Sequence, residues 1–200
     1  MREILPGIMT WSVFNQDRGL DFNGHLVVND EGCVLIDPPP MTDEQIQRAE
    51  GFMAPAAIVI TNAHHTRDAR PLAERWRARI LLPELDARSM PSEVRLGGTY
   101  SDGDRLPAGL RVVGLEGQKT PGESALLCEG AGAIILGDAL IGKPPGRLSL
   151  LPAEKYADLA RVRQGLRRLL DFPFDAVLVG DGTSIPRGGR AAVEAFLVAA

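Results

Sequence analysis

The stretch Ala56-Ala57-Ile58-Val59-Ile60-Thr61-Asn62-Ala63-His64-His65-Thr66-Arg67-Asp68 decides the fold. Its first half is a short, unbroken apolar run, the pattern of a strand covered on both faces. Its second half turns polar at once and brings two histidines, an arginine and an aspartate just past the strand end. Polar groups beyond the C-terminal ends of neighbouring strands converge at one edge of a sheet, so a site is expected at this junction.

Upstream of it, Ile8–Phe14 and His25–Asn29 read as strands, Asp30-Glu31-Gly32 as a hairpin turn and Cys33–Asp37 as the returning strand. Pro38–Pro40 stops that strand. Thr42-Asp43-Glu44-Gln45 has the capping-box pattern, and Ile46, Ala49 and Phe52 or Met53 follow at helical spacing. Downstream, Asp68–Trp76 reads as a helix and Arg79–Leu82 as the next strand, which makes a β-α-β-α-β alternation and an α/β architecture. The second half changes character. Leu110–Leu115, Ser124–Glu129 and Ala133–Leu136 read as mostly antiparallel strands, followed by a long helix near Ala153–Leu170, a strand at Asp175–Val179 and a closing helix at Gly189–Val198. The long helix carries its apolar stripe on Leu159, Val162, Leu166, Leu169 and Leu170, with Arg161, Arg163, Arg167 and Arg168 on the solvated side. Strands in both halves with helices outside imply two sheets packed face to face and covered on each side.

Two hundred residues suit a single domain, taken as 1–200, large enough to bury a core without staples. A net charge of -4 leaves no electrostatic footprint for nucleic acid. The polar first segment is no secretory leader and no apolar run is long enough to cross a membrane, so neither membrane binding nor export is expected and the cytoplasm is the default. The two cysteines, Cys33 and Cys128, sit in apolar runs and read as buried free thiols rather than as a zinc pattern.

Four strand ends carry the candidate chemistry: Thr61–Asp68, then Gly117-Gln118-Lys119-Thr120-Pro121-Gly122, then Gly137-Asp138-Ala139, then Gly180-Asp181-Gly182. Together with Gly32-Cys33-Val34-Leu35-Ile36-Asp37-Pro38, their order along the chain resembles the metallo-β-lactamase superfamily, over about His25 to Phe196. The resemblance implies an αββα sandwich of two mixed sheets flanked by helices, and a metal centre at the strand ends.

The metal centre is where this chain departs from the pattern. In the family's Thr-His-x-His-x-Asp-His loop, Thr61 and His64 match, but Asn62 stands for the first histidine, Thr66 for the aspartate and Arg67 for the last histidine. Lys119 replaces the histidine before the Thr-Pro-Gly stretch, Asp138 matches the bridging aspartate, and Asp181 replaces the histidine of the final Gly-His-Gly. The full two-metal site needs five histidines and this chain has three, of which His25 lies on an early strand. The usual dinuclear centre is therefore excluded.

Two arrangements stay open. His64, Asp138 and Asp181 are an acceptable set for one zinc, iron or manganese ion. Alternatively Arg67 and Lys119 neutralise Asp138 and Asp181 with no metal at all, because buried carboxylates need partners. Adjacent residues of an extended chain point opposite ways, so with His64 facing the site His65 reads as structural or exposed. Asp68 joins either arrangement or starts the following helix; Asp37 supports the site loops; Glu123 lines the pocket or is solvated; His25 is a hydrogen-bonded strand residue.

The implied functions follow from these alternatives. One is a divergent hydrolase of an ester, thioester or phosphoester with at most one metal, its chemistry on His64, Lys119 and Asp138. The other is a metal-free protein that binds or responds to a small anion through Asn62, Arg67 and Lys119. Metal-free acid–base chemistry on Lys119 or His64 is a third. The expected partner is a small, anionic molecule, with a homodimer left open. A β-lactamase proper is not expected, since the ligands and a leader are missing.

Overall fold

The computed structural model describes residues 1–95 and 97–199. The first sheet holds seven strands in chain order: β1 (Arg2–Leu5), β2 (Ile8–Asn15), β3 (Leu20–Asn29), β4 (Gly32–Ile36), β5 (Ala57–Val59), β6 (Arg79–Pro83) and β7 (Gly98–Tyr100). Strands β1 to β4 pair antiparallel, and β4 to β7 pair parallel. Helices α1 (Asp43–Phe52) and α2 (Ala69–Trp76) make the parallel crossovers. The second sheet holds β8 (Arg105–Leu106), β9 (Leu110–Gly114), β10 (Ser124–Cys128), β11 (Ala133–Leu136) and β12 (Ala176–Val179), antiparallel except for the β11–β12 pair. Helices α3 (Leu159–Arg167) and α4 (Gly189–Val198) cover it.

Three apolar layers hold the stack together. Between the sheets lie Val34, Ile36, Ala57 and Val59 of the first against Leu110, Val112, Leu126 and Ile135 of the second. Outside the first sheet, Leu35, Ile58 and Ile80 pack on Ala49 of α1 and on Ala69, Leu72 and Ala73 of α2. Outside the second, Leu127, Ile134 and Val177 pack on Val162 and Leu166 of α3 and on Val193 and Leu197 of α4. The unbroken run Ala57–Ile60 is thereby explained: Ala57 and Val59 face the sheet interface, Ile58 and Ile60 face the helices, and all four are buried. The result is the αββα sandwich of two mixed sheets.

Both halves of the expected capping box are made at α1, where the Gln45 backbone N–H donates to Thr42 Oγ1 at 3.3 Å and the Thr42 N–H to Gln45 Oε1 at 3.0 Å. The helix buries only Ala49, so Phe52 and Met53 lie exposed and are no part of a core face. The long helix expected over Ala153–Leu170 is shorter. Asp158 accepts from the Ala160 and Arg161 N–H groups at 2.8 and 3.1 Å and starts α3 there, with Ala153–Lys155 a separate turn and Leu159 exposed. Three short strands, β1, β7 and β8, were not expected, being too short or too polar to carry a pattern. Cys33 and Cys128 are free and buried. Among the described residues no helix is long and apolar enough to cross a membrane.

Candidate functional site

The polar strand ends meet where β4, β5, β11 and β12 finish. Asp37 closes β4 with φ 45°, a left-handed conformation that aspartate tolerates better than most residues. Its Oδ1 accepts from the Thr61 N–H at 2.8 Å, and its Oδ2 accepts from Thr61 Oγ1 at 2.5 Å and from His65 Nδ1 at 2.7 Å. Asp37 thus fixes the loop after β5, the supporting role expected of it.

That loop is a tight turn rather than extended chain. Asn62 Oδ1 accepts the His64 N–H at 2.8 Å and the Asn62 carbonyl accepts the His65 N–H at 3.2 Å. The turn reverses the expected facing of the two histidines. His65 is 3% exposed, between Asp37 and Asp138, with Nε2 3.4 Å from Asp138 Oδ1. His64 is exposed on the rim, where burial and the Lys119 charge lower its pKa. It is therefore His65, not His64, whose ring lies with Asp138 and Asp181; one donor atom from each falls within 4.8 Å of the others. Asn62 is fully buried and makes its bonds inside the loop instead of reaching the cleft.

Both charge pairings considered from the sequence are made. Lys119 Nζ donates to Asp138 Oδ2 at 2.7 Å, and Arg67 Nη2 to Asp181 Oδ1 at 2.6 Å. Arg67 also donates to the carbonyls of Asn23 and Asp37 at 2.7 and 3.1 Å and lies 4.8 Å over the Phe22 ring. Burial and the Arg67 charge push the His65 pKa down, but Asp37 and the hydrogen bonds to Asp138 and Asp37 outweigh them and raise it to about 10. A ring titrating there carries both its protons at neutral pH, with Nδ1 donating to Asp37 and Nε2 facing Asp138. Burial raises Asp138, yet His65 and Lys119 together hold it well below the usual carboxylate range. Burial leads at Asp181 and raises it, with His65 and Arg67 acting against.

A metal ion needs a neutral imidazole nitrogen and carboxylate lone pairs turned towards it. Here Asp138 Oδ2 and Asp181 Oδ1 already hold Lys119 and Arg67, and His65 Nδ1 is turned to Asp37. Asp37, Asp138 and Asp181 face His65, Lys119 and Arg67, carboxylate for cation. A divalent ion would enter this group against two fixed positive charges. The donor set does not fit a resident metal.

The remaining assignments sort plainly. Asp68 starts α2 and makes no side-chain cap bond. His25 is buried, donates from Nε2 to the Val179 carbonyl at 3.3 Å, and burial lowers its pKa to about 4. Glu123 neither lines the cleft nor meets solvent: it is 1% exposed, accepts the Ala139 N–H at 3.2 Å, and burial and the Asp138 charge raise its pKa well above the usual carboxylate range.

Two supporting residues escaped the sequence reading. Asp86, fully buried, accepts from the Ala63 N–H at 2.9 Å, Thr120 Oγ1 at 2.7 Å and the Gly122 N–H at 2.7 Å, and so locks the loop of His64 and His65 to the loop of Lys119. The strand-end rule applied to β6 points to it. Asn23 Nδ2 donates to the carbonyls of Val179 and Gly182 at 2.8 and 2.7 Å and holds the Asp181 turn; nothing in its sequence setting marks it.

Gly142 holds the same turn from the other side. Its N–H donates to the Asp181 carbonyl at 2.9 Å, and a Cβ there would lie 2.0 Å from the Thr183 carbonyl oxygen. Because backbone, not a flexible side chain, blocks the space, Gly142→Ala is expected to cost about 1–3 kcal/mol or more, read as a lower urea midpoint. Gly51→Ala, in α1 with nothing within 4 Å of the new Cβ, is the control and is expected to be neutral or slightly stabilising.

Over this buried group opens a cleft of about 490 Å³. His65, Arg67, Lys119, Asp138 and Asp181 form its inner wall.

The comparisons with known proteins agree on the scaffold. A family model described as "Metallo-beta-lactamase superfamily" matches residues 2–199. Among solved structures, TTHA1623 in a di-iron-bound form is similar with a TM-score of 0.70 and 24% identity, over 92% of this chain and 96% of that one. A metallo-β-lactamase from Erythrobacter litoralis gives 0.72 and 19% identity over 98% and 89%. VMB-1 gives 0.75 and 12% identity over 99% and 95%. A search of curated proteins gave no match.

Proposed function

This chain belongs to the metallo-β-lactamase superfamily, and on that scaffold we propose a metal-independent pocket that takes a small anionic molecule. The observation that carries this reading is the closed set of ion pairs at the strand ends, where Arg67 and Lys119 sit on Asp181 and Asp138 at 2.6 and 2.7 Å. Protein cations fill the role that metal ions would fill. Both already hold a carboxylate, so an anion at Arg67 or Lys119 would share its cation, and the other cations of the cleft add to the positive charge there.

Arg18, Lys143 and Lys155 also line the cleft, and among the described residues none of them has a carboxylate within ion-pair distance. Asp37, Asp138 and Asp181 offset the cations of the inner wall, and the outer wall adds unpaired positive charge, which favours a negative ligand.

The competing reading is hydrolysis of an ester, thioester or phosphoester with a single zinc, iron or manganese ion. The closeness of one donor atom each from His65, Asp138 and Asp181 favours it. It requires a divalent ion to enter beside the fixed charges of Arg67 and Lys119.

Metal analysis separates the two. Protein produced with added zinc, iron and manganese is expected to hold well under one equivalent of any metal. Its thermal midpoint is expected not to move with a chelator. One tightly held equivalent, with a midpoint that drops on chelation, would sink the metal-independent reading.

A further inference from the structure

We propose that the ligand of this cleft is an amphipathic anion: one carboxylate or phosphate group held at the mouth by Arg18, Lys143 and Lys155, with an apolar body lying along the wall behind it. The proposal rests on the cleft being an anion pocket and adds which anion it takes.

Of the three cations, all exposed, Lys143 is held by the fold. Lys143 Nζ lies 3.2 Å from the Arg18 carbonyl and 3.5 Å from that of Gly19, donating to both. It pins the tip of the β2–β3 hairpin, and Arg18 with it, beside the cleft. The Lys143 carbonyl in turn accepts from Ser149 Oγ at 2.7 Å, and Ile141 and Ser149 exchange backbone bonds at 2.9 and 3.0 Å. The segment carrying Lys143 is therefore braced on itself. An ammonium has three N–H donors, so Lys143 keeps one for a ligand while holding the hairpin. A guanidinium at Arg18 adds a planar fork suited to carboxylate or phosphate.

The wall beside this mouth is apolar. Leu20 and Phe22 of the hairpin, Ile141, Leu150 and Leu151 all line the cleft, and except for Ile141 they are only partly buried. A cleft of about 490 Å³ is in the range of small-molecule pockets. It is far larger than a bare phosphate or acetate, which would leave that wall wet. Covering it favours a ligand with hydrocarbon attached to its charge, at about threefold to fourfold in affinity per methylene buried. The charge distribution excludes the opposite polarity. An amine head at the mouth would meet three cations, and the two carboxylates of the inner wall are already paired.

The test is calorimetric titration of the full chain, metal-free, with butanoate, hexanoate, octanoate and octyl phosphate, all below the concentrations at which they aggregate. Affinity is expected to rise about threefold to fourfold per methylene along the carboxylates, to fall as salt is raised, and to be absent for octylamine and octan-1-ol. Arg18→Ala with Lys143→Gln and Lys155→Ala should cost at least tenfold for octanoate while the thermal midpoint stays within a few degrees. Leu151→Asn should flatten the dependence on chain length. Equal binding of short and long anions would overturn the amphipathic ligand and leave the anion pocket standing. Binding of anions only with zinc added would overturn the metal-independent reading instead. No binding by any anion would overturn both. Binding to phosphatidylglycerol vesicles without binding of monomeric octyl phosphate would place the anion in a bilayer surface and overturn the pocket ligand.

Discussion

Asp37→Ala is expected to lower folding stability by about 3–5 kcal/mol, the range for breaking a buried charge pair from one side. Asp37 is 1% exposed and receives Thr61 twice and His65 once, so its loss orphans two donors and strips a buried imidazolium of its strongest partner. Part of the penalty is relieved if His65 gives up its proton, and its pKa should therefore fall sharply in the variant. Asp37→Asn separates charge from shape. The amide keeps the volume and can still accept the Thr61 N–H, but its NH2 group replaces the acceptor that His65 and Thr61 Oγ1 use. It is expected to lose most of what alanine loses. Urea unfolding at neutral pH reads the first effect, and the histidine ring resonances followed against pH read the second. A loss below about 1 kcal/mol in both variants would mean that Asp37 is not the anchor of the β5 loop.

The same residue shows how far the sequence reaches. The alternation of strands and helices rests on burial, and burial leaves a pattern: Ala57–Ile60 has to be apolar at every position because both its faces are covered. The capping box at Thr42 and the acids at strand ends are likewise local statements about backbone geometry. What the sequence does not carry is the direction of side chains inside a turn. The facing of His64 and His65 was read from extended chain, and the Asn62 side chain, accepting from the His64 N–H, turns the backbone instead. Arg18, Lys143 and Lys155 were missed for a related reason. They stand far apart in the chain, flank no strand end in common, and come to line one cleft only when the β2–β3 hairpin leans over the segment after Asp138. The charge pairs were readable because their logic is one of balance: two cations in former ligand positions and two carboxylates that need partners.

Stability is expected to fall steeply above pH 6.5. His65 titrates near 10 in the folded chain against 6.5 unfolded, so the stabilisation from binding its proton is complete below pH 6.5 and is lost as pH rises through about 10. Over that window the folded chain holds about one proton more than the unfolded one, which costs about 1.4 kcal/mol per pH unit and reaches on the order of 5 kcal/mol at its end. Glu123 acts in the same direction. Its folded pKa is raised well above 4.5, so its contribution is complete below 4.5 and declines as pH rises beyond it. His25 acts in the opposite direction: with a folded pKa of about 4, it costs nothing above 6.5 and destabilises as pH falls from 6.5 towards 4. Urea midpoints between pH 5 and 10 measure the whole curve, and His65→Gln should remove most of the alkaline decline while lowering stability at neutral pH. Midpoints that stay level from pH 7 to 10 in the unmodified chain would show that His65 is neutral in the folded state. The imidazole would then have a lone pair to offer, and Arg67 and Lys119 on Asp181 and Asp138 would alone stand against a metal.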